Sequence, residues 1–115
     1  MNVIWIVSDT LRRDHLGSYG NKWMHTPEMD KLAEKSVRFD RFYSASFPTG
    51  PTRSDHATGR WTGLFTANIL PKEQVTLAQI LNRAGYYTAA VVDTPFYRGK
   101  ESNAERGFRK FIEVP

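Results

Sequence analysis

Two short apolar runs rich in β-branched residues constrain this chain more than any other feature. Val3, Ile4, Trp5, Ile6 and Val7 make the first, which leads into Ser8-Asp9-Thr10; Tyr87 to Val92 make the second, which leads into Asp93-Thr94-Pro95. Neither alternates apolar with polar, so both read as strands covered on two faces, the condition of a parallel sheet. Helix signals lie between them. Thr26-Pro27-Glu28 offers a cap, a proline suited to the first helical position and a carboxylate for the positive end of the dipole. Met29, Leu32 and Ala33 then give one apolar face, and the helix should run to about Lys35. Pro51 to Thr58 reads as a short helix closed by Gly59. Thr76-Leu77-Ala78-Gln79 is a capping box, with Val75 and Ile80 placed as a staple and Gly85 as the left-handed stop. Val37 and Phe39 alternate with Arg38 and Asp40, a strand or extended segment, while 11–25 reads as loop with room for a short turn of helix and 61–72 as loop. The order β-α-β-α-β argues an α/β fold: a parallel-type sheet flanked by helices, holding 3–7 and 87–92 as adjacent or near-adjacent strands.

The 115 residues are 40% hydrophobic and 24% charged, ordinary for one small domain with a modest core. Sixteen Lys and Arg against twelve Asp and Glu leave a formal charge of +4. With no basic run beyond doublets such as Arg12-Arg13, that excess reads mainly as solvated surface. No nucleic-acid-binding motif and no apolar span are present, so neither nucleic acid nor membrane is expected as a partner. The lack of cysteine excludes disulfides and thiolate metal sites. The opening residues lack the basic start, apolar length and small-residue cleavage site of a secretory leader, so a cytoplasmic protein is expected.

Ligands of α/β sheets bind beyond the carboxyl ends of the strands, where both Asp9 and Asp93 fall. A carboxylate so placed either ligates a metal or caps the next turn, and residue type alone does not choose. Thr49-Gly50-Pro51-Thr52-Arg53, followed by Thr58-Gly59-Arg60, is far more specific. It resembles the sulfatase family of the alkaline phosphatase superfamily, which carries Cys-x-Pro-Ser-Arg with the nucleophile nine residues before the Thr of a Thr-Gly-Arg. Here Thr49 stands nine before Thr58. The opening through Asp9, Arg12-Arg13-Asp14-His15-Leu16-Gly17, Tyr19-Gly20-Asn21, His25-Thr26-Pro27, Ala84-Gly85-Tyr86 and Arg106-Gly107-Phe108 extends the likeness along nearly the whole chain.

The resemblance implies an alkaline-phosphatase-like domain of which residues 1–115 form the N-terminal part, acting on a small anionic ester. It implies Thr49 as nucleophile at a helix start, where the helix dipole favours a tetrahedral anion. It implies Arg53, one turn on, directed at the transferred group. It also implies that Asp9 and Thr49 converge on one divalent cation: calcium if the protein is sulfatase-like, zinc or manganese if phosphodiesterase-like. No further cofactor is expected.

Two departures matter. Sulfatases oxidise their Cys, or sometimes Ser, to formylglycine, and Thr49 cannot yield that aldehyde because its β-carbon bears a methyl group. Related phosphodiesterases use an unmodified Thr, whose attack gives a covalent ester that water hydrolyses. The family's Asp-Asp pair and its later Gly-Lys-Trp-His are here Asp9-Thr10 and Asp93-Thr94-Pro95-Phe96, so a Lys and a His are missing. His56, beside Asp55, faces either the pocket or the sheet, and His15 and His25 read as packing or loop hydrogen-bonding residues. Sulfatases are several times longer and take further metal ligands from a later strand. The 115-residue piece is therefore expected to be inactive alone and to need the rest of the catalytic domain or an oligomeric partner. The leading reading is a sulfatase-like hydrolase. The alternatives are a Thr-dependent phosphodiesterase or phosphonate-ester hydrolase, and a non-catalytic relative that binds anions.

Overall fold

The computed structural model describes residues 1–61, 69–94 and 102–114. Most of the expected 61–72 loop, and Pro95 and Phe96 of the turn after the second apolar run, lie outside them. The chain forms two compact units, Met1–Phe42 and Tyr43–Pro115.

In the first unit the helix predicted from Thr26 is α1, Pro27–Glu34, with Pro27 in its first turn beside Glu28 and Asp30. The Thr26 side chain does not cap it. Its hydroxyl accepts the Gly17 amide at 2.9 Å and donates to the Asp30 carboxylate at 3.1 Å. Asp30 also accepts the Ser18 amide at 2.6 Å, so the pair clips the 3-10 turn Gly17–Tyr19 onto α1. Segment 37–40 forms no ladder. The Phe39 carbonyl accepts the Tyr19 hydroxyl at 3.0 Å, the Asp40 carbonyl accepts Arg13, and Arg38 donates to the Ser18 carbonyl. The Tyr19 ring lies 5.3 Å from the Arg13 guanidinium and 4.9 Å from that of Arg38, so cation–π contacts add to this pinning.

The first apolar run is a correction. Residues 3–7 form no strand and do not join the sheet; Ile4 and Ile6 are each 85% exposed. Continuous apolarity reports a preference for burial between layers, whereas a ladder needs a neighbouring strand's amides and carbonyls. Among the described residues none pairs with 3–7.

The second unit carries α2 (Thr49–Thr58), α3 (Leu77–Arg83), β1 (Ala89–Val92) and β2 (Lys110–Glu113). β1 and β2 pair in parallel, Ala89 opposite Lys110 and Val92 opposite Glu113, so the unit is α/β with a parallel sheet. The α3 capping box forms as read: the Gln79 amide donates to Thr76 Oγ1 at 3.1 Å, and the Thr76 amide to Gln79 Oε1 at 2.9 Å. Gly85 ends the helix at φ 88°. β1 starts two residues later than its apolar run; just before it, Thr88 donates its hydroxyl to the Gly107 carbonyl at 2.6 Å and its own carbonyl accepts the Arg109 amide at 2.9 Å.

Segment 102–109 is stitched across this unit. Arg106 gives its guanidinium to the carbonyls of Lys72 (2.7 Å), Pro71 (2.8 Å) and Asn103 (3.1 Å). Thr76 Oγ1 donates to the Arg106 carbonyl at 3.1 Å, and Asn82 donates to that of Gly107 at the same distance. Leu70, Ala78 and Ala104 are the buried apolar residues among those described.

Candidate functional site

The site is built on the first turn of α2. Pro48 precedes the helix and has no side chain able to cap it, and Pro51 has no amide hydrogen to give. The Thr52 amide closes the first helical hydrogen bond, to the Pro48 carbonyl at 3.2 Å. The helix therefore begins at Thr49, two residues earlier than its sequence suggests, and presents the positive end of its dipole there.

Gly50, Pro51 and Ser54 form the buried face of α2. Thr49 and Arg53 are half-buried, and their four-residue spacing places them one above the other on the helix. These two predicted catalytic residues are thus brought together on one turn. A hydroxyl and a guanidinium so arranged can attack a tetrahedral anion and stabilise the charge on its oxygens.

His56 lies one turn beyond Arg53, half-buried. Burial holds its pKa below the ordinary imidazole value, the Arg53 charge pushes the same way, and Asp55 opposes them. The imidazole is therefore favoured neutral. Of the other histidines, His15 meets the Asp14 carboxylate at 3.1 Å and stacks edge-on against Trp23 at 5.0 Å, a loop role as read.

Asp9 belongs to the first unit and Thr49 to the second. Asp9 lies on a turn whose next residue, Thr10, has φ 58°. A β-branched residue in that left-handed region is uncommon and costs about 1–3 kcal/mol. The bend re-aims the chain directly after the carboxylate. Asp93 follows β1 and is exposed. Among the described residues no group of three or more His, Asp or Glu converges as a cation site. Neither Asp9 nor Thr49 lies in such a group, and calcium or magnesium takes six or so oxygen donors. The described residues therefore do not complete a metal site.

Sequence reasoning missed the hydroxyls behind Thr49. Thr52 Oγ1 donates to the Ser46 carbonyl at 2.6 Å, and Ser44 Oγ donates to the same oxygen at 2.8 Å. The spacing of Ser44, Ser46 and Thr52 about a proline-led helix start is the only signal that pointed there.

The family model described as Sulfatase matches residues 1–115. Arylsulfatase A of Bos taurus is 32% identical over 127 residues, covering 99% of this chain and 25% of its own. Steryl-sulfatase of Mus musculus is 34% identical over 105 residues, covering 78% and 17%. N-acetylglucosamine-6-O-sulfatase of Bacteroides thetaiotaomicron is 32% identical over 94 residues, again covering 78% and 17%. The chain thus spans a quarter or less of the length of these relatives. No solved structure matches it.

Proposed function

Because the chain belongs to the sulfatase family, we propose that it supplies the nucleophile-bearing part of a catalytic domain that hydrolyses a small anionic sulfate ester. The observation that carries the reading is the placement of Thr49 at the first position of α2 with Arg53 one turn above it. Thr49 Oγ1 attacks sulfur, the bond from sulfur to the ester oxygen breaks, and the hydroxyl proton leaves with the released alcohol. Water then attacks the threonine sulfate, frees hydrogen sulfate and returns the hydroxyl. Arg53 donates to the non-bridging oxygens, whose charge it holds through both steps.

Sulfatases generally use a divalent metal ion, which supplies charge neutralisation at the ester oxygens. We assign Asp9 and Thr49 to its ligand shell, with calcium the fit to a sulfate ester and zinc or manganese to a phosphate ester. Chelation should then abolish turnover, and Asp9→Asn should raise the metal concentration that restores it.

The methyl group of Thr49 favours a second reading, hydrolysis of a phosphodiester or phosphonate ester by unmodified threonine. Turnover of an aryl sulfate and an aryl phosphodiester by the full-length protein, with Thr49→Ala alongside, decides between them. Hydrolysis of the first alone supports sulfatase activity, and of the second alone the phosphate-ester reading. Hydrolysis of neither, with retained anion binding, leaves a non-catalytic relative.

A further inference from the structure

We infer that Thr52 is a positioning residue for Thr49, acting through a hydroxyl clasp that ties the approach segment to the first turn of α2. This rests on the nucleophile reading above. A helix whose first residue must attack cannot be capped by that residue's own hydroxyl without blocking it. Pro48 cannot cap either. The entry to α2 is held from behind instead.

Thr52 Oγ1 lies 2.6 Å from the Ser46 carbonyl and 3.1 Å from that of Pro48. A single hydroxyl proton serves one of them at a time, and the shorter contact is to Ser46. Ser44 Oγ donates to the same Ser46 oxygen at 2.8 Å, so that carbonyl uses both lone pairs. Ser44 and Thr52 themselves sit 3.3 Å apart, too long to be the main bond of the cluster. Ser46 is only 5% exposed, so water does not compete well for these bonds. The clasp therefore grips the chain at 46 on one side of Thr49 and at 52 on the other. It fixes where the Thr49 side chain leaves the backbone, and a nucleophile misplaced by about 1 Å can lose on the order of a hundredfold in rate.

The test compares Thr52→Val, which keeps the β-branched shape and deletes the hydroxyl, with Thr52→Ser, which keeps the hydroxyl. Both are made in the full-length protein. Single-turnover formation of the covalent Thr49 ester is followed with whichever aryl ester the protein turns over, normalised to the sites that can be labelled. The Val variant should form the ester about tenfold more slowly or worse, with KM within about twofold, and the Ser variant should recover to within about threefold. A purely structural role would lower the number of labelled sites and leave the rate per site unchanged, which overturns the inference. Equal losses in Val and Ser overturn it too. Should Thr52→Val fail to fold, Ser44→Ala removes the other arm: a loss of about threefold or more in rate per site supports the clasp, and parity overturns it. Full activity in Thr49→Ala would instead remove the nucleophile reading itself. An inactive Thr49→Ala beside an unchanged Thr52→Val would sink only the clasp.

Discussion

The methyl group on the β-carbon of Thr49 closes one chemistry and leaves another open. No aldehyde can form there, yet the proposed function keeps the hydroxyl at the first position of α2 as the attacking group. Thr49→Ala should cut turnover by about a thousandfold or more, while Thr49→Ser should stay within about tenfold because the attacking oxygen survives. Steady-state assays of the full-length protein check both. Under the same proposal Arg53→Ala removes charge stabilisation, so kcat should fall by roughly a hundredfold with a smaller change in KM. His56 behaves differently. Its pKa is held below the ordinary 6.5, first by burial and then by Arg53, so below about 6.5 the unfolded chain binds more protons than the folded one. Stability should therefore be full above that value and fall as the pH drops through it. Denaturant midpoints measured from pH 8 to pH 5 should decline less in His56→Gln than in the parent. His56→Ala should leave the rate per folded molecule nearly unchanged, since the histidine sits a turn beyond Arg53.

Among the elements, α3 was legible almost to the residue, because its signals are local. A threonine and a glutamine three apart cap each other wherever the chain goes, and Gly85 stops the helix at a φ that few other residues tolerate. β2 was not legible, because its four residues become a strand only by lying beside β1. What places it there is Gly107. Its φ is +89°, and a Cβ added to it would lie 2.3 Å from the Gln79 nitrogen and 2.6 Å from the Ala78 carbonyl carbon. Both are backbone atoms of the α3 first turn and cannot swing aside. Gly107→Ala should thus cost about 2–4 kcal/mol, read as a fall in the denaturation midpoint, and the β2 amides should lose hydrogen-exchange protection first. Thr76→Ala deletes the cap and the bond to the Arg106 carbonyl, and should cost about 1–2 kcal/mol. The two sites share a contact surface, so their effects should not add.

At the scale of the whole molecule, the 3–7 run is one of the apolar stretches left exposed among the described residues. Its large side chains are 40–85% exposed, Val7 the least and Ile4 and Ile6 the most. An exposed apolar stretch favours association. Expressed as these 115 residues, the chain should sediment with concentration-dependent mass, and Ile4→Lys with Ile6→Lys should shift it toward monomer. Unchanged association in the double variant would place the cause elsewhere. Among the described residues no helix is long and apolar enough to cross a membrane.

The sequence by itself determined what depends on near neighbours: three helices and their stops, the β1 run, the α/β class and the nine-residue spacing that identifies the family. The resemblance named Thr49 and Arg53, and the structure, by starting α2 at Thr49, sets them one helical turn apart. Only the tertiary structure decided that 3–7 lacks a ladder, that β2 exists, and that Thr26 clips a turn instead of capping α1. It alone decided that Thr52 reaches back to the Ser46 carbonyl, and that Arg106 binds the Pro71 and Lys72 carbonyls. Each of these is a choice among partners for a hydrogen-bonding group. The residue type states that a partner is required, and the path of the chain states which one is within reach.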